Sequence, residues 1–73
     1  MESIMVNNVH KYRKEAKMTQ EEFASKCGVT RQTIISIEQG KYIASLPLAL
    51  KMAQIFSVRV EDLFVLEDKE EVK

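Results

Sequence analysis

The sequence predicts an all-α fold: one domain over residues 1–73 made of five short helices, with a small antiparallel sheet formed by its two ends. Three observations carry this expectation. Apolar residues recur at spacings of three and four along most of the chain, the period of a single helix face. Asn, Thr and Ser stand directly before the periodic segments, where their side chains can accept from the free amides of a helix start. The only two glycines, Gly28 and Gly40, stand directly after two of those segments, where a left-handed residue ends a helix without steric penalty.

The first helix follows Asn7 or Asn8, either of which can cap it, aligns Val9, Tyr12 and Ala16, and ends near Lys17. The second begins at Thr19, whose hydroxyl can take the Glu22 amide while the Glu22 side chain reaches back, the reciprocal capping box. Met18 before this cap and Phe23 at the fourth helical position form a hydrophobic staple, and Gly28 stops the helix. Thr30 caps the third helix, Val29 and Ile34 repeat the staple, and the helix runs to about Gln39 before Gly40. Ser45 caps the fourth, Pro47 occupies its first turn where a missing amide hydrogen costs little, and Leu46, Leu50, Ala53 and Phe56 are expected to face inward. Residues 60–64, VEDLF, make a very short fifth helix. The segments SIMVN and FVLE favour extended backbone, so residues 4–6 and 65–67 are expected to pair as antiparallel strands.

Eleven Lys and Arg balance eleven Asp and Glu, yet the balance is uneven along the chain. Residues 1–59 hold nine basic against five acidic groups, and residues 60–73 hold two against six. A polyanion can therefore approach the first part while the acidic end points elsewhere. Cys27 is the sole cysteine, which excludes an intrachain disulfide; with no signal peptide and no long apolar run, a soluble protein of a reducing cytoplasm is expected. Cys27 reads as a small buried apolar residue, and the single His10 as a surface helix residue. No second ligand stands at metal-binding spacing, so neither metal nor cofactor is expected. No Ser-His-acid or Cys-His set suits nucleophilic chemistry, so an enzyme is not expected, and Glu21 and Glu22 suit a helix start.

Two helices joined by a short glycine-containing turn, the second capped by Thr, form a helix-turn-helix, which can set its second helix in the DNA major groove. Ala24 on the inner side of the first of these helices lets the other cross closely, and Ile34 and Ile37 share the inner face of the second. Placing successive residues 100 degrees apart puts Arg31, Ile35, Gln39, Gln32 and Ser36, in that order, on an outward arc of about 140 degrees. At the helix start, Arg31 can bridge guanine O6 and N7 and Gln32 can bridge adenine N6 and N7; Ser36, one turn on, can reach a neighbouring base. Ile35 faces outward either as a contact to a thymine methyl or as an ordinary exposed apolar residue. Phosphate contacts are expected from Thr19 and Gln20 at the start of the preceding helix, and from Thr33, Lys41 and Tyr42 flanking the reading helix.

The stretch TQEEFASKCGVTRQTIISIEQGK, followed by ASLPLALKMAQIFSVRVEDLF, resembles the Cro and phage-repressor (Xre) family of helix-turn-helix regulators over residues 7–64. The resemblance implies a five-helix, lambda-repressor-like domain that binds operator DNA as a two-fold dimer, with Arg31, Gln32 and Ser36 at bases and Thr19, Gln20, Thr33, Gln39 and Lys41 at the backbone. It also implies that Arg13 pairs with Glu38 as a structural brace. Short members resembling the cytolysin-operon repressor add a terminal sheet, in keeping with residues 4–6 and 65–67. Ser57 stands where the family usually has Gly, and Arg59 where a short capping residue is common, which puts the geometry of the fourth-to-fifth helix junction in question. The function expected is a cytoplasmic regulator that binds double-stranded DNA, most simply a dimeric repressor on a palindromic operator, dimerising through the apolar run Leu63, Phe64, Val65 and Leu66. The alternative is an antitoxin-like interaction module with secondary DNA binding, although the end EDKEEVK offers no long partner-wrapping segment. No membrane contact is expected.

Overall fold

The computed structural model describes residues 2–69. Their order is β1 (Glu2–Asn7), α1 (Val9–Glu15), α2 (Gln20–Cys27), α3 (Arg31–Glu38), α4 (Leu46–Phe56), α5 (Val60–Leu63) and β2 (Phe64–Lys69). The strands pair antiparallel, with Met5 opposite Leu66 and Val6 opposite Val65, so the sheet extends beyond the expected residues 4–6 and 65–67 at both ends.

Most helix starts are made by the expected hydroxyls. Thr19 Oγ1 accepts the Glu22 N–H at 3.0 Å while Glu22 Oε1 accepts the Thr19 N–H at 2.8 Å. Thr30 Oγ1 accepts from Thr33 N–H at 3.2 Å, and Ser45 Oγ from Leu48 N–H at 3.3 Å. Gly28 and Gly40 take φ angles of 76° and 77°, in the left-handed region that favours glycine. At α1 the two asparagines divide the work. Asn8 occupies the cap position, but Asn7 Oδ1 takes the Val9 N–H at 3.2 Å. The Asn8 side chain donates to the Asp62 carbonyl at 3.0 Å, and Asn7 Nδ2 donates to the Ile37 carbonyl at 2.9 Å. These two residues therefore fasten the end of β1 to α3 and α5. Helix α1 stops at Glu15 rather than Lys17, because Lys17 turns left-handed at φ 58° to lead into the α2 cap.

Val9, Phe23, Ile34, Ile37, Met52 and Leu63 are fully enclosed, with Ala24, Cys27 and Ala53 filling the spaces between them. Each large side chain of this kind contributes about 1.5–3 kcal/mol through removal from water. The Phe56 ring stacks on Phe23 at 4.8 Å between centroids and lies 5.8 Å from Tyr12, so the aromatic residues join α1, α2 and α4. Burial pushes the Cys27 thiol up to about 11, against the opposing charge of Lys51, so it stays protonated near neutrality and packs as an apolar group.

Two expectations are overturned by the packing. Helix α4 does not bury Leu46 and Leu50, which are 67% and 49% exposed; its inner face is Ala49, Met52 and Ala53, with Phe56 half-buried beside them. Only Lys51 and Gln54 break an otherwise apolar sequence in this helix, so its periodicity fits two stripes, and the small Ala49 and Ala53 decide for close packing against α2 and α5. Leu63 belongs to the core of the chain itself at 0% exposure and is not free to meet a partner as the apolar run suggested, while Phe64, packed on that core, and Val65 are half-buried. Of that run only Leu66 is well exposed, at 63%.

The α4–α5 junction absorbs both unusual residues. Ser57 ends α4 in the left-handed conformation at φ 57°, the geometry for which Gly is the unstrained choice. Arg59 offers no side-chain oxygen to cap α5, and Asp62 instead accepts the Arg59 N–H at 3.0 Å. Removing the Cβ strain at Ser57 should outweigh the added freedom of the unfolded chain. Ser57→Gly is expected to raise stability by about 0.5–1 kcal/mol, read as a higher midpoint in chemical denaturation; a lower midpoint would contradict strain at this position.

Candidate nucleic-acid interface

Helix α3 has two unlike sides. Ile34 and Ile37 are 0% and 1% exposed against the core. On the opposite side Arg31, Gln32 and Gln39 are exposed, while Ile35 and Ser36 are half-buried. Gln32 Nε2 donates to Ser36 Oγ at 3.4 Å, so two of the expected base-reading groups are coupled one helical turn apart. Thr30, Gln32, Thr33, Ser36 and Tyr42 line a shallow groove along one edge of this arc. The Thr30 and Thr33 hydroxyls lie 3.0 Å apart there, and Lys41 and Tyr42 follow as exposed residues. A larger groove runs beside α2, lined by Lys17, Met18, Thr19, Glu21, Glu22, Ser25 and Lys26. It contains none of the outward arc of α3, and its two carboxylates are balanced by Lys17 and Lys26.

A polar cluster borders the other edge of the arc, around the end of α3. Arg13 is 6% exposed. Its Nε donates to Glu38 Oε2 at 2.6 Å and its Nη2 to Glu38 Oε1 at 3.3 Å. Its Nη1 donates to the Met18 carbonyl at 2.8 Å, just before the α2 cap. Glu38 Oε1 also accepts from Gln20 Nε2 at 3.2 Å and lies 3.3 Å from His10 Nδ1. The Glu38 side chain is itself only 6% exposed. Among the described residues no buried side-chain polar atom is left without a partner.

The sequence-designated residues thus fall into three places: Arg31, Gln32, Ile35, Ser36 and Gln39 on the arc, Thr33, Lys41 and Tyr42 along one edge and beyond it, and Gln20, Arg13 and Glu38 at the other edge. Thr19 is exposed at the α2 start beside Gln20. The link from Gln20 and His10 to Glu38 was not legible beforehand, since their partners are 18 and 28 positions away on another helix.

A family profile described as helix-turn-helix (HTH_3) matches residues 9–63. The chain belongs to this family, the Cro/C1-type or Xre helix-turn-helix regulators. It is 53% identical over 66 residues to an uncharacterized HTH-type transcriptional regulator of Methanocaldococcus jannaschii, covering 90% of this chain and 100% of that one. It is 45% identical over 65 residues to the uncharacterized HTH-type transcriptional regulator YgzD of Bacillus subtilis, covering 89% and 98% of the two chains. The crystal structure of the hypothetical transcription factor NHTF from Neisseria superposes with a TM-score of 0.69 at 27% identity, over 75% of this chain and 63% of that chain. The solution structure of the SOS-response repressor LexA from Eubacterium rectale shares the fold, with a TM-score of 0.74 at 24% identity over 90% and 74% of the chains. The Xre-family fold is a DNA-binding fold, and the names of the relatives describe transcriptional regulators rather than enzymes. No helix among the described residues is long and apolar enough to cross a membrane.

In this Xre-family domain the Glu38 carboxyl is acted on in opposite directions. Burial alone would raise its pKa, but hydrogen bonds from Arg13, Gln20 and His10, together with the Arg13 charge, outweigh burial and hold it below the ordinary 4.5. A carboxyl whose folded value is depressed stabilises the fold in full above its unfolded value; the contribution is lost as pH falls through the lower folded value. Glu38→Gln, which strands the buried Arg13 cation, is expected to cost about 3–5 kcal/mol near neutral pH. Its denaturation midpoint should also depend less on pH than the parent's below about 4.5, because this carboxyl no longer titrates. Parallel pH profiles for parent and variant would contradict the ionised brace.

Proposed function

We propose that the chain acts as one domain that binds double-stranded DNA sequence-specifically, with α3 in the major groove. The observation that carries this reading is the exposed Arg31–Gln32 pair at the first turn of α3, above a buried Ile34–Ile37 face. Arg31 pairs with guanine, Gln32 with adenine, and Ser36 with a neighbouring base, while the half-buried Ile35 offers a methyl-sized contact to thymine. Thr19, Gln20, Thr33, Gln39, Lys41 and Tyr42 meet phosphates on the two sides of the groove. Occupancy of an operator blocks polymerase, so repression is the simplest regulatory outcome.

A two-fold dimer on a palindrome completes the reading. Ile43, Leu46 and Leu50 are 65%, 67% and 49% exposed, and Leu46 and Leu50 share one face of α4. This apolar surface begins three residues after Gly40, which follows α3. The second copy is therefore assigned to this surface, with Leu66 as the remaining contact from the C-terminal run. Leu46→Glu with Leu50→Glu should convert a dimer to a monomer in sedimentation, and binding-site selection should return half-sites about 34–36 Å apart. A parent chain that sediments as a monomer both free and on DNA would defeat the dimer.

Titration of a selected duplex at fixed salt tests the reading face. Arg31→Ala and Gln32→Ala should each weaken specific binding by about 1–3 kcal/mol and relax base preference, whereas Lys41→Ala should weaken all sequences alike and lower the salt slope by about one unit. Parent-like discrimination by both arc variants would refute the assignment of α3.

A further inference from the structure

We propose that His10 is an additional DNA-backbone contact, a phosphate donor held in place by Arg13 and Glu38. The inference rests on the DNA-binding reading and extends it to a residue which that reading does not use. His10 Nδ1 lies 3.2 Å from Arg13 Nη2 and 3.3 Å from Glu38 Oε1, between an obligatory donor and a carboxylate. In the neutral tautomer whose Nδ1 accepts from Arg13 the proton is on Nε2, whereas the neutral tautomer that donates Nδ1–H to Glu38 leaves Nε2 bare. In the charged ring Nδ1–H donates to Glu38 and Nε2 again carries a proton. The Arg13-accepting neutral form and the charged form present an Nε2–H on the side of the ring away from these partners, and the side chain is 62% exposed.

The position of this donor follows from Glu38. On the α3 helical wheel Glu38 falls beside Arg31, just outside the reading arc, while Thr33 falls outside its opposite end. A helix in a major groove about 12 Å wide has a phosphate backbone along each side. Thr33 and Tyr42 border one side. Gln20 and His10, gathered on the same Glu38 oxygen, border the other. Gln20 Nε2 has a second hydrogen beyond the one given to Glu38, so the two side chains form a paired donor site for one stretch of backbone. The charged groups facing His10 are Arg13 from its own helix and Glu38 from α3, and Gln20 faces it from α2 as a neutral group.

The experiment titrates a selected duplex and a random duplex with the parent, His10→Ala, His10→Glu and His10→Lys, using variants whose melting midpoints match the parent. His10→Ala should weaken both duplexes alike by about three- to tenfold, His10→Glu should weaken them further, and His10→Lys should restore them. Ethylation of one backbone phosphate should interfere with parent binding and cease to matter in His10→Ala. Parent-like affinities for both His10→Ala and His10→Glu, while Lys41→Ala still loses affinity, would overturn this proposal and leave the DNA-binding reading intact. A loss confined to one base position would also overturn it, since a phosphate contact carries no base preference. Absence of duplex binding by the parent would overturn both.

Discussion

The buried ion pair between Arg13 and Glu38 governs how α3 is held. Removing two charges from water costs several kcal/mol each, which a close and fully hydrogen-bonded geometry offsets. Here the guanidinium donates to both carboxylate oxygens and to the Met18 carbonyl, while Gln20 supplies a further donor to Glu38. One interaction thus joins α1, the turn before α2, the first residue of α2 and the last of α3. Helix α3 has only eight residues, too few to persist alone, so its direction is set by what lies beneath it. Ile34 and Ile37 fix its depth, and Glu38 fixes one end. The outward direction of Arg31 and Gln32 is a consequence of those constraints.

The same economy of contacts appears at the junctions. Asn7 and Asn8 serve helix capping, strand anchoring and the α5 contact together, so the terminal sheet is joined to the helical body through side-chain amides as well as through the chain. Asn8 N–H also donates to the Leu63 carbonyl at 2.8 Å, which draws the first and last helices together. At the other end of α4, Ser57 accepts a left-handed backbone and Asp62 provides what Arg59 lacks, so an atypical sequence reaches the same turn. The two-stranded sheet has too few pairings to be stable by itself, and these anchors give it a support.

The helices that carry strong local signals were legible almost to the residue. Thr19 with Glu22, Thr30 and Ser45 are short-range chemistry, and a cap hydrogen bond spans three positions wherever it occurs. The arc on α3 was legible for the same reason, since helix geometry alone separates Arg31 and Gln32 from Ile34 and Ile37. The face of α4 was not, because Leu46 and Leu50 satisfy the same period as Ala49 and Ala53. Leu63 misled for a related reason: an apolar run ahead of an acidic end reads as a surface patch, whereas one turn of α5 is enough to carry its last residue into the core.

By itself the sequence determined the number of helices, the caps of α2, α3 and α4, the outward composition of α3 and the family to which the chain is similar. These depend on spacings of three or four residues, which the backbone converts directly into neighbours. Tertiary structure alone decided which apolar stripe of α4 is buried, that Leu63 is core while Leu46 is surface, and that His10 and Gln20 join the Arg13–Glu38 pair. Those outcomes depend on competition among distant segments for one enclosed volume and one carboxylate, and no local period encodes the winner.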